Sequence, residues 1–148
     1  MKLELDEFLP YRLSVCANRV SQVIARAYEA RFGLRSTEWR VMAVLAQEEE
    51  SSQQGLVFRT GMDKVAISRA AQQLEERGFL RRRPDPQDAR SLRLSLTAAG
   101  KRVHARIAPE ALALQTRLLE GFPRAEVEAL SAALKRIEQA ADDLLEGR

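Results

Sequence analysis

Between Pro10 and Phe32 apolar side chains return every three or four residues, at Leu13, Cys16, Ala17, Val20, Ile24 and Ala27. That period predicts a helix, with Pro10 tolerated in its first turn and Gly33 as its stop. Ser36 reads as the N-cap of a second helix, with Glu38 near its positive end. This helix carries Trp39, Val41, Met42 and Leu45 and ends near the acidic run 48–50. "SSQQGLVFRTG" reads as a short helix capped by Ser51 or Ser52 and stopped by Gly61, with Gly55 weakening it. Asp63 is placed to cap "KVAISRAAQQLEER", which runs to Gly78. Its apolar stripe is Ile67, Ala70, Ala71 and Leu74, so Val65, Ser68, Arg69, Gln72 and Glu76 point the other way.

The period then changes. In "RSLRLSLT", Leu92, Leu94 and Leu96 alternate with Ser91, Arg93 and Ser95, as in a half-buried strand. "FLRRR" is the partner strand, and "PDPQDA" is the hairpin loop between them, where proline and aspartate suit a tight turn. After "LTAAG" the helical period returns through Val103, Ile107, Leu112, Leu114 and Leu118, with Pro109 as the place for a bend. "GFP" at 121–123 breaks it. The last helix carries Val127, Leu130, Leu134, Ile137, Ala141 and Leu144, a seam that packs along its length against another helix.

The order is therefore helix, helix, short helix, helix, hairpin, long helix, long helix. The fold class is mostly α: a winged helix-turn-helix over 36–97 within a single chain of 1–148. Its flanks, 1–33 and 98–148, are long helices too apolar for so small a core. They are expected to form a dimerisation domain with a second copy.

Composition narrows the function. At 148 residues, 45% hydrophobic and 30% charged, the chain is an ordinary globular protein. It has no apolar run of membrane-span length, and its start has no basic head before an apolar stretch, so neither a membrane span nor a signal peptide is expected. The single cysteine fits a reducing cytoplasm. Cys16 lies on an apolar stripe and is expected to be a buried, unreactive thiol. The net charge of +3 is unevenly spread: residues 59–103 carry +6 and the rest −3. A basic middle between acidic ends suggests a face that meets a polyanion. No enzyme is expected. His104 is the only histidine, stands among Lys101, Arg102 and Arg106, and reads as an ordinary helix-surface residue. No metal-ligand cluster or glycine-rich phosphate loop suggests a metal or a cofactor.

"DKVAISRAAQQLEERGFLRR", followed by "DAR" and "LSLTAAG", resembles the signature of the MarR family of bacterial transcriptional regulators. "LPYRLSVCANRVSQVIARAYEARFGLRSTEWRVMAVLA" is similar to that family's first two helices. The resemblance implies an obligate dimer that binds a pseudo-palindromic operator in double-stranded DNA. It also implies repression of nearby genes, released by a small ligand, often a phenolic or aromatic acid. By resemblance the helix 63–77 is the recognition helix and the hairpin 80–96 is the wing. The family's wing commonly reads Asp-Arg-Arg where this chain has Asp88, Ala89 and Arg90. Gly55 and Val57 also replace a more usual charged residue and alanine. Some members sense peroxides through an N-terminal cysteine, but "LRSTEW" aligns that position near Tyr11, not Cys16.

A helix in the major groove needs short polar and forked donors facing outward. Ser68, Arg69, Gln72 and Gln73 qualify: arginine bonds two acceptors of guanine, and glutamine those of adenine. Lys64 reads as a phosphate contact beside the positive helix end. Arg90 is the candidate for the narrow, negative minor groove. Asp88 is expected to pair with Arg77 or Arg82 and hold the loop. Arg81, Arg82 and Arg83 alternate faces along the strand, so that Arg82 or Arg83 can reach phosphate while the others flank the core. Trp39, Tyr11, Arg12, Arg19 and Arg40 lie where the family's ligand site tends to be, with Trp39 more simply read as core. The competing class is a winged helix used for protein interaction without DNA readout, which the arginine-rich wing argues against.

Overall fold

Four helical segments and a small sheet bury one continuous set of side chains in the computed structural model, which describes residues 1–148. The helices are α1 (Leu9–Phe32), α2 (Ser36–Glu48), α3 (Gln53–Thr60) and α4 (Lys64–Glu76). The strands are β1 (Glu50–Ser51), β2 (Leu80–Pro84) and β3 (Leu92–Leu96), and two long helices follow, α5 (Ala98–Leu118) and α6 (Arg124–Leu145). Two compact units make up the chain, Met1–Ala111 and Leu112–Arg148.

In the first unit Val41, Met42 and Leu45 of α2, Leu56 of α3, and Ile67, Ala71 and Leu74 of α4 are all at most 1% exposed. These are the apolar positions of three helical stripes, and they meet Leu80, Leu94 and Leu96 from one face of the sheet. Truncating one of the leucines, Ile67 or Met42 to alanine costs about 2–5 kcal/mol at so closed a site. The expected hairpin forms, antiparallel, with Leu80 opposite Leu96 and Arg82 opposite Leu94. A third strand joins it: β1 pairs antiparallel with β3, Glu50 opposite Ser95. Two residues have no period, so this strand leaves no trace in the hydrophobic pattern.

Several helix ends follow local chemistry. Ser52 caps α3 by accepting from the Gly55 N–H at 3.0 Å, and Asp63 caps α4 by accepting from the Ala66 N–H at 2.8 Å. Gly33 and Gly61 close α1 and α3 in the left-handed conformation. Ser36 is not a cap: α2 starts one residue earlier than that role requires, with Arg35 at the N-cap and no side-chain capping bond.

The "LTAAG" signature has a physical cause. Thr97 Oγ1 donates to the Gly78 carbonyl at 2.6 Å and accepts from the Gly100 N–H at 3.1 Å. The Thr97 N–H donates to the Phe79 carbonyl at 3.0 Å. One residue thus caps α5 and ties it to the turn after α4. Gly100 is required because a Cβ there would collide with the Phe79 carbonyl oxygen.

The second unit carries the last turns of α5 and all of α6, which has no buried residue. Leu130, Leu134, Ile137 and Leu144, the expected seam, are 37–77% exposed in the single chain. Helix α5 runs unbroken through Pro109. No helix is long and apolar enough to cross a membrane.

Candidate nucleic-acid interface

The outward face of α4 is as its period requires. Lys64, Val65, Ser68, Arg69, Gln72 and Gln73 are all exposed, while Ile67, Ala70, Ala71 and Leu74 are buried behind them. Gln72 Nε2 donates to Glu76 Oε1 at 3.2 Å, an exposed contact that a stronger partner can displace.

The wing tip is built by its own side chains. Asp85 Oδ1 accepts from the Gln87 N–H at 2.9 Å, and Asp88 Oδ1 accepts from the Arg90 N–H at 3.0 Å. The loop closes through Asp85 N–H to Ser91 carbonyl and Ser91 N–H to Asp88 carbonyl, both 3.0 Å. Asp88 therefore pairs with neither Arg77 nor Arg82. Its carboxylate is taken up by the backbone two residues on, the usual habit of aspartate in turns. This corrects the expected ion pair: Asp88 still holds the loop, through its backbone, and Arg90 is exposed.

Arg82 and Arg77 have other partners. Arg82 Nε lies 3.3 Å from Glu75 Oε2, close enough for an ion pair though not aligned as a hydrogen bond. Its Nη1 donates to Gln53 Oε1 at 3.4 Å. Arg82 thus braces the wing against α3 and α4. Arg83 is exposed on the opposite side of the sheet. Arg77 donates to the Gly33 and Phe32 carbonyls at 2.8 and 3.0 Å, stacks its guanidinium 4.9 Å from the Phe79 ring centre, and lies 3.9 Å from Glu38 Oε2. It joins the end of α4 to the end of α1. Burial raises the Glu38 carboxyl above its ordinary range, and Arg77 opposes that rise.

A cleft of about 390 Å³ lies between the start of α3, the start of α4 and the wing. Lys64, Asp88 and Arg90 all line it, so the structure brings these sequence candidates together. Ser52, Gln53 and Gln54 line it too and were not among the sequence candidates. The polar run "SSQQ" at a helix start was the available signal, because a helix N-terminus offers free N–H groups to a phosphate.

At the other end of the unit, Trp39 meets Tyr28 edge-on with ring centres 5.2 Å apart and stacks on His104 at 5.3 Å. His104 is therefore a packed aromatic and not an ordinary surface residue; burial holds its imidazole pKa below the usual value. Trp39 is half-buried, not fully core. Arg40 donates to Ser21 Oγ at 2.7 Å, while Tyr11, Arg12 and Arg19 are exposed along α1. Cys16 is exposed, against the expectation of a buried thiol: the α1 stripe it belongs to is largely uncovered in one chain.

Known proteins share this arrangement. The family model described as MarR family matches residues 32–91. Over 82 residues the chain is 32% identical to YdgJ of Bacillus subtilis (strain 168), an uncharacterized HTH-type transcriptional regulator; the match covers 55% of this chain and 50% of YdgJ. The chain thus spans about half the length of the curated relatives it matches. A MarR/EmrR family transcriptional regulator from Acinetobacter sp. ADP1 superposes with a TM-score of 0.88 at 28% identity, covering 95% of this chain and 99% of that one. BpsR of Bordetella bronchiseptica, whose DNA binding is regulated by 6-hydroxynicotinic acid, shares the fold with a TM-score of 0.82 at 20% identity, over 93% of this chain and 97% of its own.

Proposed function

We propose that this chain, which belongs to the MarR family, is a homodimeric, sequence-specific DNA-binding regulator that represses nearby genes until a small ligand releases it. The observation that carries the reading is one cationic surface: the exposed polar face of α4 beside a cleft that holds Lys64 and Arg90. In the proposed complex, α4 lies in the major groove, where Arg69 and Gln72 read base edges and Ser68 and Gln73 support them. Lys64 and the α3 start meet phosphate, and Arg90 enters the minor groove. Arg82 acts as a brace that fixes the wing's position, and Arg83 reaches phosphate from the wing's other side.

The dimer follows from the exposed seam of α6. Leu130, Leu134 and Ile137 would lose contact with water against a second copy, and each leucine buried is worth about 1.5–3 kcal/mol. Two such chains present two α4 helices, which suits a pseudo-palindromic operator. For the ligand, the Tyr28–Trp39–His104 cluster supports an aromatic acid, since stacked rings recognise a flat ring. BpsR, which answers to 6-hydroxynicotinic acid, shares the fold.

The test is binding to the DNA upstream of the chain's own gene, across a salt series, with and without a panel of aromatic acids. With four to six phosphate contacts per protomer, log K should fall with log salt at a slope of roughly −7 to −11 per dimer. A slope near zero refutes the phosphate clamp. In parallel, Leu134→Asp should convert a dimer to monomer in sedimentation; a dimer unmoved by it refutes the α6 interface.

A further inference from the structure

The two faces of the wing differ. Even-numbered side chains of β2 and β3, from Leu80 to Leu96, face the core and the cleft of the proposed DNA surface. Odd-numbered ones face the opposite way. There a second cleft of about 280 Å³ opens, lined by Arg81, Arg83, Arg93 and Ser95 of the sheet and by Lys101 near the start of α5. Its volume lies just under the roughly 300–1,000 Å³ of pockets for drug-sized ligands, which suits a small group.

The charges of this cleft are not balanced within the chain. Four cations face two acids, Glu49 and Glu50. Only Arg93 is matched, by Glu50 at 3.4 Å; Arg81 Nε donates to Ser95 Oγ at 3.2 Å. Arg83 stands directly across the strand pair from Arg93, an arrangement of like charges that destabilises a sheet. The rim is strained as well. Glu49 has φ of 68° and ψ of −48°, the one residue other than glycine at positive φ. Like charges opposed on one strand pair and a strained backbone beside them are features that persist where a site is shaped for something outside the chain.

The geometry points to a phosphate-binding site on the outer face of the wing, in which Arg81, Arg83, Arg93 and Lys101 surround a phosphate group. Arginine forks match the tetrahedral oxygens, the lysine adds a point charge, and Ser95 offers a hydroxyl. The phosphate can come from a free phosphomonoester, whose two negative charges match the net positive charge of the cleft, or from the singly charged phosphodiester of DNA flanking the contacted site. Both offer the same kind of oxygen to the same donors.

The test uses the full chain and inorganic pyrophosphate, titrated calorimetrically in a low-salt, phosphate-free buffer. One site per chain is expected. The pair Arg93→Gln/Lys101→Gln should weaken it by at least about tenfold, with Arg81→Gln/Lys101→Gln as a second pair that leaves the Arg93–Glu50 contact in place. Arg69→Gln, on the opposite surface, should leave it unchanged. Absence of saturable binding, wild-type affinity in both double variants, or an equal loss with Arg69→Gln overturns the proposal. With pyrophosphate binding lost, the DNA salt slope then identifies the source. A slope shallower by about 2 per protomer assigns the phosphate to flanking DNA, and an unchanged slope assigns it to a free ligand. The pyrophosphate arm does not depend on DNA binding, so the two readings fail separately.

Discussion

Replacing Arg77 should damage the fold more than the loss of a surface arginine normally does. The Arg77 side chain is 36% exposed, but the Glu38 side chain beside it is only 7% exposed, and its Oε2 has no hydrogen-bond partner. Arg77→Ala removes two charge-assisted bonds, to Gly33 and Phe32 at 2.8 and 3.0 Å. It also leaves a buried carboxylate without its main cation, with Arg35 as the weaker one that remains. Bonds to a charged donor are worth about 1.5–3 kcal/mol each when buried. Partial exposure puts these at or below the low end, so a total near 2–4 kcal/mol is expected. Arg77→Lys should recover little, because an ammonium cannot fork to two carbonyls and a ring face. Urea unfolding of Arg77→Ala, Glu38→Gln and the double variant gives the partition. Glu38→Gln should be neutral or stabilising at neutral pH and should relieve about 0.5–1.5 kcal/mol of the Arg77→Ala loss. The pH dependence has a fixed sign. Burial makes the folded carboxyl hold its proton more tightly than the unfolded one, so Glu38's contribution is fully present below the ordinary carboxylate range and lost as pH rises through its raised value. Arg77→Ala should move that loss to higher pH. An Arg77→Ala cost under about 1 kcal/mol, or the same cost with and without Glu38→Gln, refutes the strut.

Arg90→Ala should weaken DNA binding by about 1–3 kcal/mol in a gel-shift or anisotropy titration while sedimentation shows the same assembly; unchanged affinity removes the wing tip from the interface. His104 has the opposite pH sign to Glu38: its folded imidazole holds a proton less tightly, so stability is full above the ordinary value of 6.5 and falls as the pH drops below it. His104→Phe keeps a ring against Trp39 and should flatten that acid limb in thermal melts; an unaltered limb assigns it to other groups. Gly100→Ala tests the helix rule against packing. Propensity alone favours alanine by about 1 kcal/mol, yet the new methyl meets the Phe79 carbonyl, so a net loss of about 1–3 kcal/mol is expected, and a gain in melting temperature refutes the contact.

The parts of the fold that were legible in the chain are those set by short-range rules. The α4 stripe, the Asp63 and Ser52 caps and the Gly33 and Gly61 stops depend on residues within four positions of each other. The α6 seam is likewise a matter of spacing. What escaped the sequence reading depends on a choice among partners. Asp88 could be expected to seek a cation, but a backbone N–H two residues away is reached with no chain closure, and the arginines were already engaged by Glu38 and Glu75. Ser36 failed as a cap because it is already inside the helix, with extended Arg35 in the N-cap place. Cys16 sits on the right face of α1 for burial, yet a stripe is buried only when something covers it, and along α1 Tyr28 alone is fully closed over.

The opening of the wing shows how pleat and charge together make the site. Three consecutive arginines would repel one another on a helix, but on a strand Arg82 turns to one face and Arg81 and Arg83 to the other. Arg82 finds Glu75 and Gln53 and becomes a fixed part of the scaffold beside α4. Arg81 and Arg83 meet Arg93 and Lys101 on the reverse, where four cations face two acids, Glu49 and Glu50. The run "RRR" therefore serves two surfaces. Its middle residue orients the hairpin whose tip carries Arg90, and the outer two leave a concentrated positive charge behind it. Neutralising the outer two should leave the hairpin's geometry intact because none of its core contacts involve them; neutralising the middle one should loosen the wing.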